Sequence, residues 1–229
     1  MALELKHISK QFDGNVVFKD FDIAFQEGVI SCILGPSGCG KTTLLNMMGG
    51  VTAADGGDFS SLNGKRFSYI FQAPRLLPWK TVAENIGFVM DRNLTASERQ
   101  QKLDYLLQMV EMDHYAQYYP SQLSGGMAQR VSIARAFAID SDVILMDEPF
   151  SGLDITLKKN IMERFVEIWK RDKRTVVYVT HDIDEALLLS DEIIVFSKAP
   201  VKIVAQTQVD KDNLQAVKDL ILKSLVCCQ

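Results

Sequence analysis

A glycine-rich octapeptide near the amino terminus constrains this sequence more than any other feature. It reads Gly35-Pro36-Ser37-Gly38-Cys39-Gly40-Lys41-Thr42. The spacing fits G-x-x-x-x-G-K-[ST] in full, with an apolar run at 29–34 before it and a helical pattern at 41–48 after it. Glycines allow backbone N–H groups to converge on a phosphate, and the helix amino terminus adds its positive end. The octapeptide therefore predicts a phosphate-binding loop rather than a plain structural turn.

The polar side chains at the end of this loop predict how ATP and its metal are held. Lys41 is expected to reach the β and γ phosphates, and the Thr42 hydroxyl is expected to bind Mg²⁺. Thr43 continues the same turn and is also predicted to contact ATP. ATP and Mg²⁺ are therefore the predicted cofactors.

A second element supplies carboxylates for the metal. The apolar run 143–146 leads directly into Asp147 and Glu148. A carboxylate at the carboxyl end of a buried parallel strand lies where ligands bind in such sheets. We therefore predict Asp147 as the carboxylate on the metal side and Glu148 as the base that polarises the attacking water. Glu148 alone would be typical of a surface carboxylate, but Asp147 before it and Pro149 after it favour the catalytic interpretation.

Composition excludes several classes of protein. The chain has 229 residues, 47% of them hydrophobic, and a net charge of -4. Lys and Arg do not cluster, so we predict no nucleic-acid partner. The amino terminus lacks the apolar region of a signal peptide, and no apolar stretch approaches the roughly 20 residues of a membrane span. A role at a membrane would therefore require docking onto a protein that spans the bilayer.

The four cysteines, Cys32, Cys39, Cys227 and Cys228, have no spacing that suggests a zinc site or a disulfide framework. Reduced thiols are the expected state. Cys39 lies among backbone amides and close to Lys41, which would favour a thiolate there. We therefore expect alkylation of Cys39 to block ATP binding, and ATP to protect the thiol. The alternative is a thiol that points into the fold and is buried and inert.

Periodicity predicts a chain of alternating strands and helices, which is typical of an α/β parallel sheet. The predicted strands are 29–34, 67–71, 142–146, 175–180 and 192–196. The predicted helices between them are 41–48, 157–169 and 183–189, and a final amphipathic helix is marked by Leu214, Val217, Leu220, Ile221 and Leu225.

Two additions interrupt this alternation. Alternating residues over the first thirty positions, with a hairpin turn at Asp13-Gly14, predict an N-terminal antiparallel β subdomain. Residues 55–58 are predicted as a turn, and 81–138 as an inserted α-helical subdomain that includes a capping box at 95–98. The predicted fold is a single domain, 1–229. Its core is the parallel sheet of a P-loop NTPase. This core and the β subdomain together comprise residues 1–80 and 139–229.

A further glycine-containing segment suggests a family. It reads Leu123-Ser124-Gly125-Gly126-Met127 and is followed by Gln129-Arg130. Ser-Gly-Gly at the start of a helix is an anion site built from amides and a hydroxyl. Placed between the phosphate-binding loop and the strand that ends in Asp147, this segment resembles the signature motif of ABC-transporter ATPases.

Further matches extend the resemblance over nearly the whole chain. Gln72, at the end of the strand 67–71, resembles the Q-loop glutamine. His181, directly after the strand 175–180, resembles the switch histidine. Phe12 matches the aromatic residue that stacks on adenine, although Tyr is the commoner choice there. The D-loop is matched by Ser151-Gly152-Leu153-Asp154.

Two stretches, 71–82 and 180–186, resemble the importer branch that serves nitrate, sulfonate, taurine and related solutes. Met127 stands where Gln is the general form, a variant that also fits this branch. Ala73 departs from the acidic residue that is common at its position. The resemblance implies ATP hydrolysis that powers solute import through a membrane permease.

The resemblance also implies partners and residue roles. One phosphate-binding loop and one signature motif imply a head-to-tail homodimer with two ATP molecules at its interface. Glu148 would orient or deprotonate the water, His181 would contact the γ-phosphate, and Gln72 would bind Mg²⁺ or the water. The helical subdomain would pass closure to permease subunits at the cytoplasmic face of the membrane, served indirectly by an extracytoplasmic solute-binding protein.

The segment after Gln72 is the predicted docking surface for the permease. It contains Leu76, Leu77 and Trp79, and we expect part of it to be exposed. The alternative is that Trp79 fills the core between subdomains, since Trp is usually mostly buried.

Two other classes of function compete with transport. A soluble ABC ATPase acting on DNA or the ribosome would usually show tandem cassettes, long coiled coils or basic patches. A plain P-loop kinase or GTPase would make the Ser-Gly-Gly segment a coincidence, and a GTPase would need an Asn-Lys-x-Asp segment. None of these features is found in the sequence.

Overall fold

The computed structural model describes residues 2–226, apart from the side chain of Asp172. The strands are β1 (Ala2–Phe12), β2 (Asn15–Gln26), β3 (Ile30–Leu34), β4 (Gly56–Asp58), β5 (Phe67–Ile70), β6 (Val143–Asp147), β7 (Thr175–Val179), β8 (Glu192–Phe196) and β9 (Ile203–Gln208). The α-helices are α1 (Lys41–Met48), α2 (Val82–Gly87), α3 (Ala96–Met109), α4 (Gly125–Ala138), α5 (Ile155–Asp172), α6 (Ile183–Leu189) and α7 (Leu214–Val226). Within residues 2–226, none of the helices combines the length and the apolar character of a membrane-spanning segment. Cys227 and Cys228, which are predicted to be reduced thiols, lie outside the described residues.

The central sheet has the strand order β5-β6-β7-β3-β8-β9. The first five strands in this order are parallel to one another, whereas β9 runs antiparallel to β8 at the edge. Four of the inner strands, β3, β6, β7 and β8, are buried along their whole length, as expected of short apolar strands covered on both faces. The parallel core is therefore confirmed, and β9 is an addition that the sequence analysis does not predict.

Alternate residues of this sheet face two separate hydrophobic clusters. On one face, Cys32, Ile144 and Tyr178 pack with apolar residues of helices α2 to α7. On the other face, Ile33 and Leu145 pack with α1 and with the β1–β2 hairpin. Each fully buried side chain of this size contributes about 1.5–3 kcal/mol relative to its exposed state. The two-residue period of the strands thus joins the helices and the β subdomain to the same sheet.

The amino-terminal strands form an antiparallel sheet in the order β2-β1-β4. The turn between β1 and β2 lies at the predicted position, with positive φ at Asp13 (48°) and Gly14 (81°). The prediction of a turn at 55–58 is wrong, because Gly56–Asp58 is a strand that pairs with β1. Asp55 fastens this region, since its carboxylate accepts hydrogen bonds from the side chain and backbone of the facing strand.

The segment predicted to be helical, 81–138, contains α2, α3 and α4. The predicted capping box is confirmed: Thr95 and Glu98 each accept from the other's backbone N–H. A second box, formed by Thr81 and Glu84, starts α2. The helices are not continuous, and short 3₁₀ turns separate α3 from α4 at Asp113–Tyr115 and Pro120–Gln122.

Close packing of the β1–β2 hairpin against the phosphate-binding loop requires glycine at position 40. Gly40 has φ 119°, and a Cβ there would lie 2.6 Å from Val17 Cγ1 and 3.2 Å from Phe18 Cζ. Such a contact with Val17 is too short for any real side chain. The antiparallel sheet therefore holds the loop in place by direct contact.

We predict that Gly40→Ala lowers the free energy of unfolding more than Gly64→Ala does. Both glycines have positive φ, but a Cβ at Gly64 would meet nothing within 4 Å. Gly64→Ala is expected to cost about 1–2 kcal/mol from the backbone conformation alone. Gly40→Ala is expected to cost roughly 2 kcal/mol more, because overpacking adds to the backbone term. Urea unfolding of both variants measures the difference, and equal losses would contradict the packing argument.

Candidate active site

The phosphate-binding loop leaves the first turn of α1 without a side-chain cap. Helices α2 to α6 each begin at a residue whose side chain accepts a hydrogen bond from the first turn. Helix α1 begins at Gly40, which has no side chain to do so. The ammonium group of Lys41 donates to the carbonyl oxygens of Gly35 (2.8 Å) and Pro36 (2.9 Å). The uncapped first turn of α1 and a buried ammonium group thus lie at one place, as an anion site requires.

The end of β6 brings a buried carboxylate against the loop. Thr42 Oγ1 donates to Asp147 Oδ1 at 3.0 Å, so two of the three predicted metal ligands are adjacent. Burial holds the pKa of the Asp147 carboxyl above its usual value, and the negative charge of Glu148 raises it further. A cation beside this carboxylate would offset both effects. A hydroxyl and a carboxylate oxygen are also the hard ligands that Mg²⁺ prefers, so the residues fit this ion.

The Glu148 carboxylate is held from both sides. His181 Nδ1 lies 3.1 Å from Glu148 Oε1, and Gln72 Nε2 donates to Glu148 Oε2 at 3.4 Å. The backbone of Glu148 has φ 46°, an uncommon value for a large side chain, and its N–H donates to Val179 O at 2.9 Å. The structure therefore brings together the three residues predicted to be catalytic. Gln72 contacts Glu148, and its role as a metal ligand stays a prediction.

The predicted signature segment starts α4. Ser124 is the helix cap, and its Oγ accepts from the backbone N–H of Met127 at 3.2 Å. Ser124 and Gly125 are exposed, and a Cβ at Gly125 would meet nothing within 4 Å. A Cβ at Gly126 would lie 3.3 Å from Leu153 Cδ2, so the predicted D-loop lies directly against this turn. The exposed side of the turn is therefore accessible to another molecule.

The predicted D-loop connects the end of β6 to α5. Asp154 caps α5 by accepting from the Leu157 N–H at 3.0 Å. Ser151 and Gly152 are exposed. Phe12 lies at the tip of the β1–β2 hairpin, where 44% of it is exposed. Lys10 Nζ lies 4.9 Å from the centroid of its ring, and the predicted contact of Phe12 with adenine stays a prediction.

Comparison with known proteins assigns the chain to a family. The family model described as ABC transporter matches residues 18–151, more than half of the chain. The chain belongs to the ABC transporter family. Within this family it is an ATP-binding subunit with ATPase activity.

Individual relatives agree with this assignment. The aliphatic sulfonates import ATP-binding protein SsuB 1 of Pseudomonas savastanoi pv. phaseolicola is 40% identical over 92% of this chain and 85% of its own length. The sulfate/thiosulfate import ATP-binding protein CysA 1 of Shewanella oneidensis is 38% identical over 88% of this chain and 57% of its own length. The dimeric structure of an ATP-binding cassette in a post-hydrolysis state, bound to ADP and Pi, has a TM-score of 0.77. It is 30% identical, over 92% of this chain and 99% of that one.

In this ABC ATPase, the prediction for Cys39 is wrong, and the sequence analysis did not identify Gln129 as a site residue. The predicted thiolate at Cys39 is wrong: the side chain is buried, and burial raises the pKa of its thiol although Lys41 Nζ lies 3.9 Å away. Gln129 of α4 is missed as a site residue. It is buried, and its Nε2 donates to Pro149 O at 2.8 Å, next to Glu148. The sequence signal that could have identified Gln129 was a polar residue on the apolar face of α4.

We predict that Cys39 reacts slowly with iodoacetamide in the native protein at neutral pH. The thiol is 2% exposed and its pKa is raised, so both access and thiolate population are low. Peptide mapping by mass spectrometry gives the rate, and the same reaction in urea is the control for intrinsic reactivity. Fast native labelling that ATP suppresses would restore the thiolate interpretation.

Proposed function

We propose that this chain is the subunit that hydrolyses ATP to power import of a sulfonate, nitrate, taurine or related solute through a membrane permease. The observation that carries the catalytic part is the Glu148 carboxylate, held between Gln72 and His181 beside the Thr42–Asp147 pair. The solute class is supported by relatives named as importers of aliphatic sulfonates and of sulfate or thiosulfate.

Each polar group then has a distinct role in hydrolysis. The amides of the loop and Lys41 bind the β and γ phosphates. Thr42 and Asp147 would hold Mg²⁺, which supplies charge neutralisation to the phosphates when bound. Glu148 orients and deprotonates the attacking water, and His181 contacts the γ-phosphate. Gln72 keeps the Glu148 carboxylate directed toward the water.

Two copies of the chain would form the working unit. Ser124 and Gly125 are exposed on the cap of α4, where they are accessible to the γ-phosphate of ATP bound to a second copy. The dimeric structures among the solved relatives support this assembly. ATP bonded by both copies favours the closed dimer, and hydrolysis removes that preference.

A permease would dock on the helical subdomain, 81–138, and the segment before it. Trp79 is 70% exposed and Phe88 at the end of α2 is 64% exposed, which places two large aromatic side chains in solvent. Lys80 Nζ lies 5.7 Å from the centroid of the Phe88 ring. Exposed aromatic residues beside a cation are typical of interfaces. The chain would then sit peripherally at the cytoplasmic face of the membrane, with an extracytoplasmic binding protein delivering the solute to the permease.

We predict that Glu148→Gln turns the isolated chain into a dimer that depends on ATP. The variant keeps the shape of the site but lacks the base, so turnover should fall at least about 100-fold. Both copies still bind ATP at the interface, and the variant no longer hydrolyses it. Size-exclusion chromatography with and without ATP measures the dimer.

Adding Ser124→Arg to this variant should abolish the dimer. The long charged side chain would fill the space of the partner's γ-phosphate, while ATP still binds the loop of its own chain. If Ser124 only capped α4, its loss would lower stability by ~1 kcal/mol and leave the dimer intact. A double variant that still dimerises with ATP would therefore remove Ser124 from a composite site.

We predict that Trp79→Ala weakens copurification with the permease and leaves the fold intact. The exposed side chain should contribute less than about 0.5 kcal/mol to stability, whereas an aromatic anchor contributes about 2 kcal/mol or more to an interface. Tyr105→Ala on α3, where Tyr105 is 43% exposed, is the matched control. Equal copurification of both variants would place the docking surface elsewhere.

A further inference from the structure

An ion network beside the active site is not explained by the roles given above. Lys158 of α5 donates to Asp182 Oδ2 at 2.9 Å and to Glu185 Oε1 at 2.5 Å. The Glu185 side chain is 6% exposed and that of Lys158 is 22% exposed. A carboxylate that is buried to this degree requires partners, and one ammonium group serves two carboxylates here.

The network encloses the turn that carries His181. Glu185 Oε2 accepts from Thr180 Oγ1 at 2.7 Å, and Thr180 Oγ1 accepts from the Asp182 N–H at 3.1 Å. The residues on both sides of His181 are therefore fixed. The imidazole itself is 69% exposed and reaches Glu148 at 3.1 Å. Its position depends on the backbone of the turn rather than on packing of the ring.

The same lysine is also bonded to the D-loop. The backbone N–H of Lys158 donates to Asp154 O at 2.8 Å and closes the first turn of α5. Lys158 therefore lies one helical turn after the D-loop, and its ammonium group reaches the turn of His181.

We propose that Lys158 is a positioning residue that holds His181 against Glu148. Removal of its charge would free the turn of residues 180–182, and His181 would lose its fixed place relative to Glu148. This inference rests on the proposed role of His181 in hydrolysis.

A second ion pair that involves α6 provides a control. Lys218 of α7 donates to Asp184 Oδ1 at 2.5 Å, so it also binds a carboxylate of α6. This pair is on the surface, with the Asp184 side chain 77% exposed, and it does not touch the residues that flank His181. Both lysines fasten α6, but the Lys158 pair is more buried, and only Lys158 bonds to a residue next to His181. A positioning role therefore predicts that only the loss of Lys158 changes the surroundings of the His181 ring.

The test compares Lys158→Met, Lys158→Arg and Lys218→Met in the purified chain. Lys158→Met should lower kcat for ATP about 10- to 100-fold, because small displacements of a reacting group have effects of this size. The KM for ATP should change less than about 3-fold, since the phosphate-binding loop is untouched. Lys158→Arg should restore most of the turnover, and Lys218→Met should match the wild type.

A direct readout of His181 is independent of turnover. The chain has three histidines, so ring ¹⁵N labelling gives three sets of NMR signals, and His181→Ala identifies the set for His181. Lys158→Met should shift the His181 signals toward those of a solvated ring and leave His7 and His114 unchanged. If Lys158→Met does not fold, Asp182→Asn is expected to give the same shift, since it removes one partner of Lys158.

The outcomes separate this inference from the proposed function. Unchanged His181 signals and unchanged kcat in Lys158→Met, or equal losses in Lys158→Met and Lys218→Met, would overturn the positioning role. Wild-type turnover in His181→Ala would instead overturn the catalytic role of His181, and the NMR shift would still report whether Lys158 holds its ring.

Discussion

The parallel alignment of neighbouring strands is the constraint on which the active site depends. Strands β5, β6, β7 and β3 are adjacent in that order, so their carboxyl ends meet at one edge of the sheet. Gln72, Glu148, His181 and Gly35 each follow one of these strands by one or two residues. Residues more than 100 positions apart in the chain therefore come within hydrogen-bond distance, as Thr42 and Asp147 do. Any disruption of the strand order would separate the loop from the carboxylates.

This edge of the sheet carries conformations that are unfavourable in isolation. The positive φ of Glu148 costs about 1–3 kcal/mol for a residue of this kind. Asp147 is 5% exposed, and burial of its charge is a further cost. Both are tolerated because the buried ladder between β6 and β7 continues to the Glu148 N–H, which donates to Val179 O. The stability of the sheet core thus offsets strain and charge burial that serve the binding of ATP and a cation.

The sequence was sufficient for the parts of the structure that depend on local pattern. The bounds of α1, α6 and β8 agree with prediction, since apolar periodicity and strong boundary residues coincide there. Gln72 and His181 lie beside Glu148 because each of the three follows a parallel strand by one or two residues, a position that could be read from the sequence. Strand β4 was missed for a physical reason: Gly56–Asp58 has no apolar alternation and is a strand only through pairing with β1.

Two other failures have similar causes. Strand β9 is mostly exposed, so its sequence carries little hydrophobic signal, and its pairing with β8 is a tertiary property. The burial of Cys39 follows from the packing of the phosphate-binding loop against β8: a Cβ at Gly35 would contact both Cys39 Sγ at 3.1 Å and Phe196 O at 2.9 Å. Amides and a lysine near a thiol were visible in the sequence, but the direction of the side chain was not.

Helix α4 connects the exposed cap at Ser124 to the catalytic strand end. Gln129 lies five residues after Ser124, about 7–8 Å along a helix that rises 1.5 Å per residue. Its hydrogen bond to Pro149 O joins this helix to the residue after Glu148. A shift of α4 relative to Pro149 would stretch or break this buried hydrogen bond. One side-chain hydrogen bond outside the phosphate-binding loop thus joins the helix capped by Ser124 to the strand end that carries Glu148.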